Sequence, residues 1–278
     1  RTQQMNPMLL AAALFVQPSD KVQISPSVSV QPAHRAAAPR CDFDRAKSPI
    51  LPYAQGEELT YLVSVQGVRA GSANFRLGGL ERTPHGAGYT IRADFETNAF
   101  ASVASDLQGK VLSLLDPRDQ RSRFYRNDLK RGAVEYRDRA SFGEKGIDWS
   151  YHVGKRRRAG KMRGSKSGFD PLVVLYNLRD LKFQTNQRIC ARVYGFRTLR
   201  RGDGMIQSEE TIQTLAGPMK TWRVQLTIHE GKRKRKLTVW VGQEEERPVW
   251  RAELKSTKGT MVMELARHVL GKGPIYRL

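Results

Sequence analysis

The stretch Ser167-Gly-Phe-Asp-Pro-Leu-Val-Val-Leu-Tyr-Asn-Leu-Arg179 carries the strongest helix signal in a chain that otherwise has the pattern of β-strands. Asp170 is a good N-cap, because its carboxylate can accept hydrogen bonds from the first free backbone N–H groups. Pro171 suits the first helical position, where its missing N–H costs nothing. The residues that follow form a broad apolar face, made of Leu172, Leu175, Tyr176 and Leu178. The stretch predicts one short helix, at about residues 170–180, that plugs or covers a sheet.

Alternation of apolar and polar residues covers most of the remaining chain. It is cleanest where Trp222, Val224, Leu226 and Ile228 are separated by single polar residues. One buried face and one wet face are typical of antiparallel sheets. Short hairpins in series favour a meander that curls. We therefore predict a mainly β fold, either a single curved antiparallel sheet or a partly open β-barrel, with one short helix.

The N-terminal region differs in composition from the rest. A nine-residue apolar run at 8–16 has the length of a signal-peptide core, although only Arg1 precedes it as a positive charge. It is too short to span a bilayer, and we predict no transmembrane span. The sequence suggests four parts: a signal peptide or disordered apolar segment at 1–20, a proline-rich disordered linker at 21–52, a β domain at 53–270 and a tail at 271–278.

The chain is strongly basic, with 48 Lys and Arg against 27 Asp and Glu, a net charge of +21. Such an excess favours an anionic partner. The basic residues cluster between predicted strands, so we expect them at loop tips, where one shared rim would capture phosphate or carboxylate groups. Scattered, solvated hairpin turns are the alternative. The candidate ligand-binding residues are Lys155, Arg156, Arg157, Arg158, Lys161, Arg163, Arg200, Arg201, Lys232, Arg233, Lys234 and Arg235.

The same clusters argue against nucleic acid as the partner. Base stacking requires aromatic residues among the cations, and the runs at 155–166 and 231–236 contain none. No zinc-finger or helix-turn-helix spacing occurs. An anionic lipid or glycan, or association with an anionic membrane surface, fits the charge better.

Catalytic candidates are few. His229 could act as a general base. Asp94 and Glu96 share a strand face at a separation of about 7 Å, which is compatible with the carboxylate pair of a glycan-cleaving hydrolase or lyase. The five histidines have no metal-ligand spacing, and no glycine-rich phosphate loop is found. We therefore expect no metal and no cofactor.

Two cysteines, Cys41 and Cys190, have no CxxC spacing. In an oxidising compartment they could form one disulfide. Two unpaired thiols are equally compatible with the sequence.

Several blocks resemble the DUF3108 family of bacterial envelope proteins. The matching segments are Tyr61–Leu77, Leu112–Pro117, Phe169–Arg179, Glu210–Trp222 and Leu237–Val241. The resemblance implies a mostly antiparallel β fold and export to the periplasm or cell envelope of a Gram-negative-type bacterium. It implies no activity, because none is established for the family.

Charge, resemblance and pattern together predict an exported, non-enzymatic binding protein. Its cationic hairpin loops would engage lipopolysaccharide, phospholipid or peptidoglycan, and an apolar concavity near the predicted helix would take up any acyl part. The alternative is an enzyme that cleaves an envelope glycan with paired carboxylates.

Overall fold

The computed structural model describes residues 50–99, 101–102, 106–163, 168–230, 233–256 and 259–276. They contain seventeen strands and the nine-residue helix α1 (Pro171–Arg179). The strands are β1 (Ile50–Gln55), β2 (Glu58–Val65), β3 (Val68–Thr83), β4 (Gly86–Thr97), β5 (Leu107–Leu115), β6 (Ser122–Arg131), β7 (Val134–Gly143), β8 (Gly146–Val153), β9 (Arg156–Arg163), β10 (Gly168–Phe169), β11 (Arg188–Gly195), β12 (Thr198–Thr214), β13 (Gly217–Glu230), β14 (Arg233–Gly242), β15 (Val249–Ser256), β16 (Gly259–Val269) and β17 (Gly273–Tyr276).

Fifteen strands form one sheet, in the order β10-β11-β12-β13-β14-β15-β16-β2-β3-β4-β5-β6-β7-β8-β9. Neighbouring strands are antiparallel, except for the parallel pair β10 and β11. Within the described residues the end strands β10 and β9 do not pair with each other, so the sheet curves like a barrel without closing. This confirms the predicted fold class, a mainly β protein with a curved, mostly antiparallel sheet and one short helix.

A two-stranded ribbon accompanies the sheet. Its strands β1 and β17 pair between Ile50 and Tyr276 and between Gln55 and Gly273. The folded part thus extends beyond the predicted range of 53–270 and includes residues 50–52 and 273–276. The two strands of the ribbon are far apart in the sequence, and nothing in either segment indicates that it pairs with the other. The signal peptide predicted at 1–20, and the linker up to residue 49, lie outside the described residues.

The predicted alternation is visible in β13. Val224 and Leu226 are buried on the concave face, whereas Arg223 and Gln225 are only partly covered. Residues paired across neighbouring strands share a face, so the pattern continues around the sheet. Burial of this concave face supplies most of the hydrophobic core.

Helix α1 lies against this concave face. Asp170 is its N-cap, as predicted, and accepts from the backbone N–H groups of Leu172 at 2.9 Å and Val173 at 3.1 Å. The hydroxyls of Ser113 and Ser122 each donate to the same carboxylate at 2.6 Å. Eight of the nine helical residues are buried, so α1 plugs the curve of the sheet.

Candidate functional site

Three hairpins that carry predicted basic residues turn at the same end of the sheet. Each is closed by one terminal pair: Val153 with Arg156 for β8 and β9, Gly195 with Thr198 for β11 and β12, and Glu230 with Arg233 for β13 and β14. Neighbouring strands alternate in direction between β11 and β9, so alternate hairpins turn at one end. We call this end of the sheet, defined by residues 155–158, 197–201 and 233–235, the basic end.

The opposite end of the sheet has a different charge. The connection between β14 and β15 turns there and contains Glu244, Glu245 and Glu246 next to Arg247. The turn between β12 and β13, at 215–216, has no charged residue. All the described connections at that end together contain six acidic and five basic residues, so their charges nearly cancel; these connections are 84–85, 116–121, 144–145, 215–216, 243–248 and 270–272.

The expectation that the basic residues occupy loop tips is wrong for the longest run. Residues 156–163 form β9, the edge strand of the sheet, and carry five cations among eight residues. Gly154, with φ of +54°, allows a tight turn directly after β8, so that pairing resumes at Arg156. The run lacks apolar alternation because the strand is exposed on both faces. Cations on such a strand also prevent edge-to-edge association.

The other predicted cations also lie mainly in strands. Arg200 and Arg201 belong to β12, and residues 233–235 begin β14. Lys155 alone among the described candidates lies in a turn, and Lys232 lies outside the described residues.

The predicted cations are not equally available to a ligand. Lys161 forms an ion pair with Asp148 at 3.1 Å, and Arg201 one with Asp203 at 2.6 Å. Arg200 is buried on the concave face. In the part of the chain that the structure describes, the exposed cations without a carboxylate at ion-pair distance include Arg156, Arg157, Arg158, Arg163 and Lys234.

The structure does not bring the three catalytic candidates together. Asp94 and Glu96 lie side by side on the outer face of β4. His229 lies on β13, six positions away in the sheet order, and its Nε2 lies 3.0 Å from the Asp203 carboxylate. Glycan cleavage with two carboxylates requires the pair to face one cleft. Asp94 and Glu96 do line one groove, but His229, the candidate general base, lies in a different part of the sheet.

Asp94 and Glu96 line a groove of about 570 Å³ on the outer face. A cross-strand row runs through it, in which Asp94 of β4 is paired with Lys110 of β5, which is paired with Asp128 of β6. Arg126 donates to Asp128 at 2.5 Å within the same groove. Its charges of opposite sign largely compensate one another, so the groove is a weak candidate for a strongly charged ligand.

An apolar cavity of about 80 Å³ lies beside α1, where we predicted an apolar concavity, and whether it takes up an acyl chain stays a prediction. Helix residues such as Leu175 and Leu178 form one wall, and the concave faces of β11 to β15 form the other. Among the described residues that line the cavity, Arg200 alone is charged. Its guanidinium donates a hydrogen bond to the carbonyl of Gly195 at 3.2 Å. One lining residue of the cavity, Arg200, thus belongs to the basic end.

Sequence reasoning missed a buried ionic cluster at the far end of α1. Arg179 donates to Glu57 at 2.6 and 2.7 Å, and His268 Nε2 lies 2.9 Å from the same carboxylate. Burial would raise the pKa of Glu57, but the Arg179 guanidinium and its hydrogen bonds outweigh this and hold the pKa below its usual range. The rings of Tyr53 and Tyr176 lie about 5 Å from the guanidinium carbon. No local signal links these residues, because they are distant in sequence.

A second buried carboxylate secures the tip of the β11–β12 hairpin. Asp138 of β7 accepts from the Tyr194 hydroxyl at 2.8 Å and from the Phe196 N–H at 2.6 Å. Burial raises the pKa of Asp138 to about 6, although these hydrogen bonds oppose the shift. The contact draws β11, near one end of the sheet order, against β7, near the other.

Further expectations concern disulfides, metals and membranes. Cys190 in β11 is not a free thiol, while Cys41 lies outside the described residues, so their pairing stays a prediction. Among the described residues, no group of three or more His, Cys, Asp or Glu is placed to hold a metal ion. None of the described helical segments has the length and apolar character needed to cross a bilayer.

The fold and the basic end define a class of protein: an open, barrel-like β sheet plugged by a short helix. A similar fold is found in a β-barrel-like protein of a domain of unknown function, DUF1849, from Brucella abortus, with a TM-score of 0.57. It shares 8% identity, and the match covers 79% of this chain and 99% of that one. The chain belongs to the DUF3108 family, described as proteins of unknown function, whose model matches residues 60–266.

Two further solved structures show weaker similarity. One is described as a "putative exported protein" with a YmcC-like fold from Bacteroides fragilis, at 13% identity and a TM-score of 0.35 over 82% of this chain and 100% of that one. The other is described as a "putative lipoprotein" from Parabacteroides distasonis, at 10% identity and a TM-score of 0.34 over 80% and 100%. Neither score is high enough to support a shared fold. No curated protein matches the chain.

Proposed function

We propose that the protein is an exported binding protein of the cell envelope that engages an anionic envelope component through its basic end. The observation that carries this proposal is the position of three cation-bearing hairpins at one end of the sheet, opposite an end that contains Glu244–Glu246. Charges on one edge sum to a field that attracts anions more strongly than the same charges spread over a surface. Lipopolysaccharide, phospholipid and peptidoglycan glycan all offer phosphate or carboxylate groups.

The availability of the cations supports the proposal further. Arg156, Arg157 and Arg158 are exposed at the start of the edge strand, and Lys234 is exposed on β14. Arginine binds phosphate and carboxylate through two parallel hydrogen bonds. Export itself is inferred from the family resemblance and from the apolar run at 8–16, and fractionation of cells into cytoplasm, periplasm and membranes tests it.

Binding is tested with lipopolysaccharide, vesicles containing phosphatidylglycerol and isolated peptidoglycan, with phosphatidylcholine vesicles as the neutral comparison. Affinity should fall steeply between about 0.01 M and 1 M salt, because the screening length shrinks from about 30 Å to about 3 Å. An affinity that salt leaves unchanged would contradict the proposal. Tighter binding to a single-stranded oligonucleotide than to any envelope component would also contradict it.

A matched pair of charge-reversal variants tests the location of the site. The basic-end variant combines Arg156→Glu, Arg157→Glu and Lys234→Glu. The control combines Arg82→Glu, Arg118→Glu and Lys272→Glu, which are exposed positions at the opposite end. Both variants change the net charge equally. The basic-end variant should lose most of the affinity and the control should keep most of it, whereas equal losses would show that only net charge matters.

A further inference from the structure

The small cavity beside α1 is called the slot below. Its lining is apolar, apart from Arg200 and backbone atoms, and includes Leu226, Leu237 and Val239 of β13 and β14. Ligand pockets for drug-sized molecules measure about 300–1,000 Å³, and an engineered apolar cavity of about 150 Å³ holds benzene. A volume of about 80 Å³ is therefore smaller than the cavity that holds an aromatic ring. It fits the end of an unbranched hydrocarbon chain.

Small residues create the free space. Ala191 of β11 and Gly202 of β12 form a cross-strand pair on the concave face, and both line the cavity. A Cβ atom added to Gly202 would have Ala191 O, at 3.9 Å, as its nearest neighbour, so the position faces open space. At Gly204, by contrast, a Cβ would lie only 2.4 Å from Gln225 O and 2.5 Å from the Leu226 side chain. Gly204 is thus required by close packing, whereas Gly202 leaves the slot open.

The slot lies next to the basic end. Gly202 is paired with Ile228 of β13, which is paired with Arg235 of β14, so two lining residues share one cross-strand row with a cation. The neighbouring row on the outer face contains Arg201 and Lys234, both paired with His229. A chain in the slot would therefore place its head group among the cations.

We infer that this slot binds the end of the hydrocarbon chain of a single-chain anionic amphiphile, whose head group lies at the basic end. For the head group the inference rests on the proposed function, while for the chain it rests on the slot alone. An apolar chain without charge would gain nothing from the basic end. An anion without a chain would leave the slot empty.

The probes are dodecanoate, dodecyl phosphate and dodecyltrimethylammonium, measured by calorimetry below their critical micelle concentrations. The two anions should bind, and the cationic amphiphile should bind at least about tenfold more weakly, because like charges at the basic end repel its head group. Equal affinity for all three would overturn the anionic part of the inference.

The variant Gly202→Leu fills the slot from within the sheet. It should weaken dodecanoate binding about tenfold, the loss expected when roughly two methylene groups lose their buried site. The matched control is Thr227→Leu, which adds the same side chain to the outer face of neighbouring β13. Thermal unfolding shows whether each variant is folded. A second variant, Ile228→Ala, enlarges the slot and should shift the binding preference toward amphiphiles with longer chains. The inference can therefore be tested even if Gly202→Leu does not fold.

The outcomes separate the slot from the proposed function. If Gly202→Leu weakens dodecanoate binding and keeps salt-dependent binding to phosphatidylglycerol vesicles, both are supported. If dodecanoate does not bind, or binds Gly202→Leu and Ile228→Ala as it binds the unaltered protein, the slot inference is overturned, whatever the vesicles show. If dodecanoate binding depends on Gly202 and no envelope component binds, the proposed function fails and the slot remains.

Discussion

Arg179, the last residue of α1, forms a two-point ion pair with Glu57, and both side chains are only 1% exposed. The guanidinium also donates to the carbonyls of Glu246 at 2.7 Å and Arg247 at 3.1 Å. One side chain therefore ties the end of the helix to the segment before β2 and to the connection before β15. The C-terminal end of α1 is thus fixed by the ion pair of Arg179 and Glu57, and its N-terminal end by the hydrogen bonds of Asp170.

Loss of Arg179 should strongly destabilise the fold. Arg179→Met leaves the Glu57 carboxylate buried beside His268 alone, and removing one partner of a buried pair typically costs about 3–5 kcal/mol. We expect a loss of this size in the free energy of unfolding, measured by urea denaturation. The double variant Glu57→Gln with Arg179→Met should lose less than the sum of the single changes, because no charge is then left alone. Additive losses would contradict this account.

The free energy of unfolding should depend on pH through the titration of Asp138. Its carboxyl has a pKa raised to about 6 by burial, against about 3.9 in an unfolded chain. The folded state thus binds this proton more tightly than the unfolded state. The contribution of Asp138 to the free energy of unfolding is therefore largest below pH of about 4, and falls by about 2–3 kcal/mol as pH rises through about 6.

The variant Asp138→Asn isolates that effect, because its amide does not titrate. Glu57, whose pKa is lowered, acts in the opposite sense and loses its stabilising effect as pH falls. The informative quantity is therefore the difference in unfolding free energy between the unaltered protein and the variant, measured at several pH values. This difference should decline from about pH 4 to pH 6. A difference that does not change with pH would mean that Asp138 titrates normally in the folded state.

Asp170 should stabilise the fold by more than a helix cap alone does. Its carboxylate accepts from two backbone N–H groups and from the hydroxyls of Ser113 and Ser122, all in a buried site. Loss of a cap costs about 1 kcal/mol, and each buried donor left without a partner about 1–3 kcal/mol more. Asp170→Ala should therefore lose at least about 3 kcal/mol in urea denaturation. Asp170→Asn retains one oxygen and should lose less. A loss of only about 1 kcal/mol for Asp170→Ala, that of a cap alone, would show that the hydroxyl contacts contribute little.

The sequence predicts those parts of the fold whose signals are local. Asp170 and Pro171 mark the helix start within two residues, and the alternation around Val224 shows which side of β13 is buried. The pair of Glu57 and Arg179 is not predictable in this way, since nothing near either residue in sequence specifies the other.

The candidate site, like the fold, is only partly predictable from the sequence. Composition and runs of Arg and Lys identify the cations, but their common location follows from strand order and direction. Arg200 belongs to a basic cluster in sequence, yet it faces the concave side, because it lies two residues from Gly202 in β12, and both residues line the cavity. Residues 156–163 have no strand pattern because neither face of β9 is buried.

The arginines of β9 should also keep the protein monomeric. An edge strand offers free N–H and C=O groups to another sheet, and charged side chains oppose that pairing. Replacing Arg157, Arg158 and Arg163 with Thr, a good strand former, should produce soluble oligomers or aggregates, detected by light scattering at equal concentration. The matched control replaces Arg126, Arg137 and Arg139 with Thr on β6 and β7, which are paired on both sides. The control removes the same charge and should stay monomeric, and similar aggregation of both variants would attribute the effect to net charge rather than to the edge.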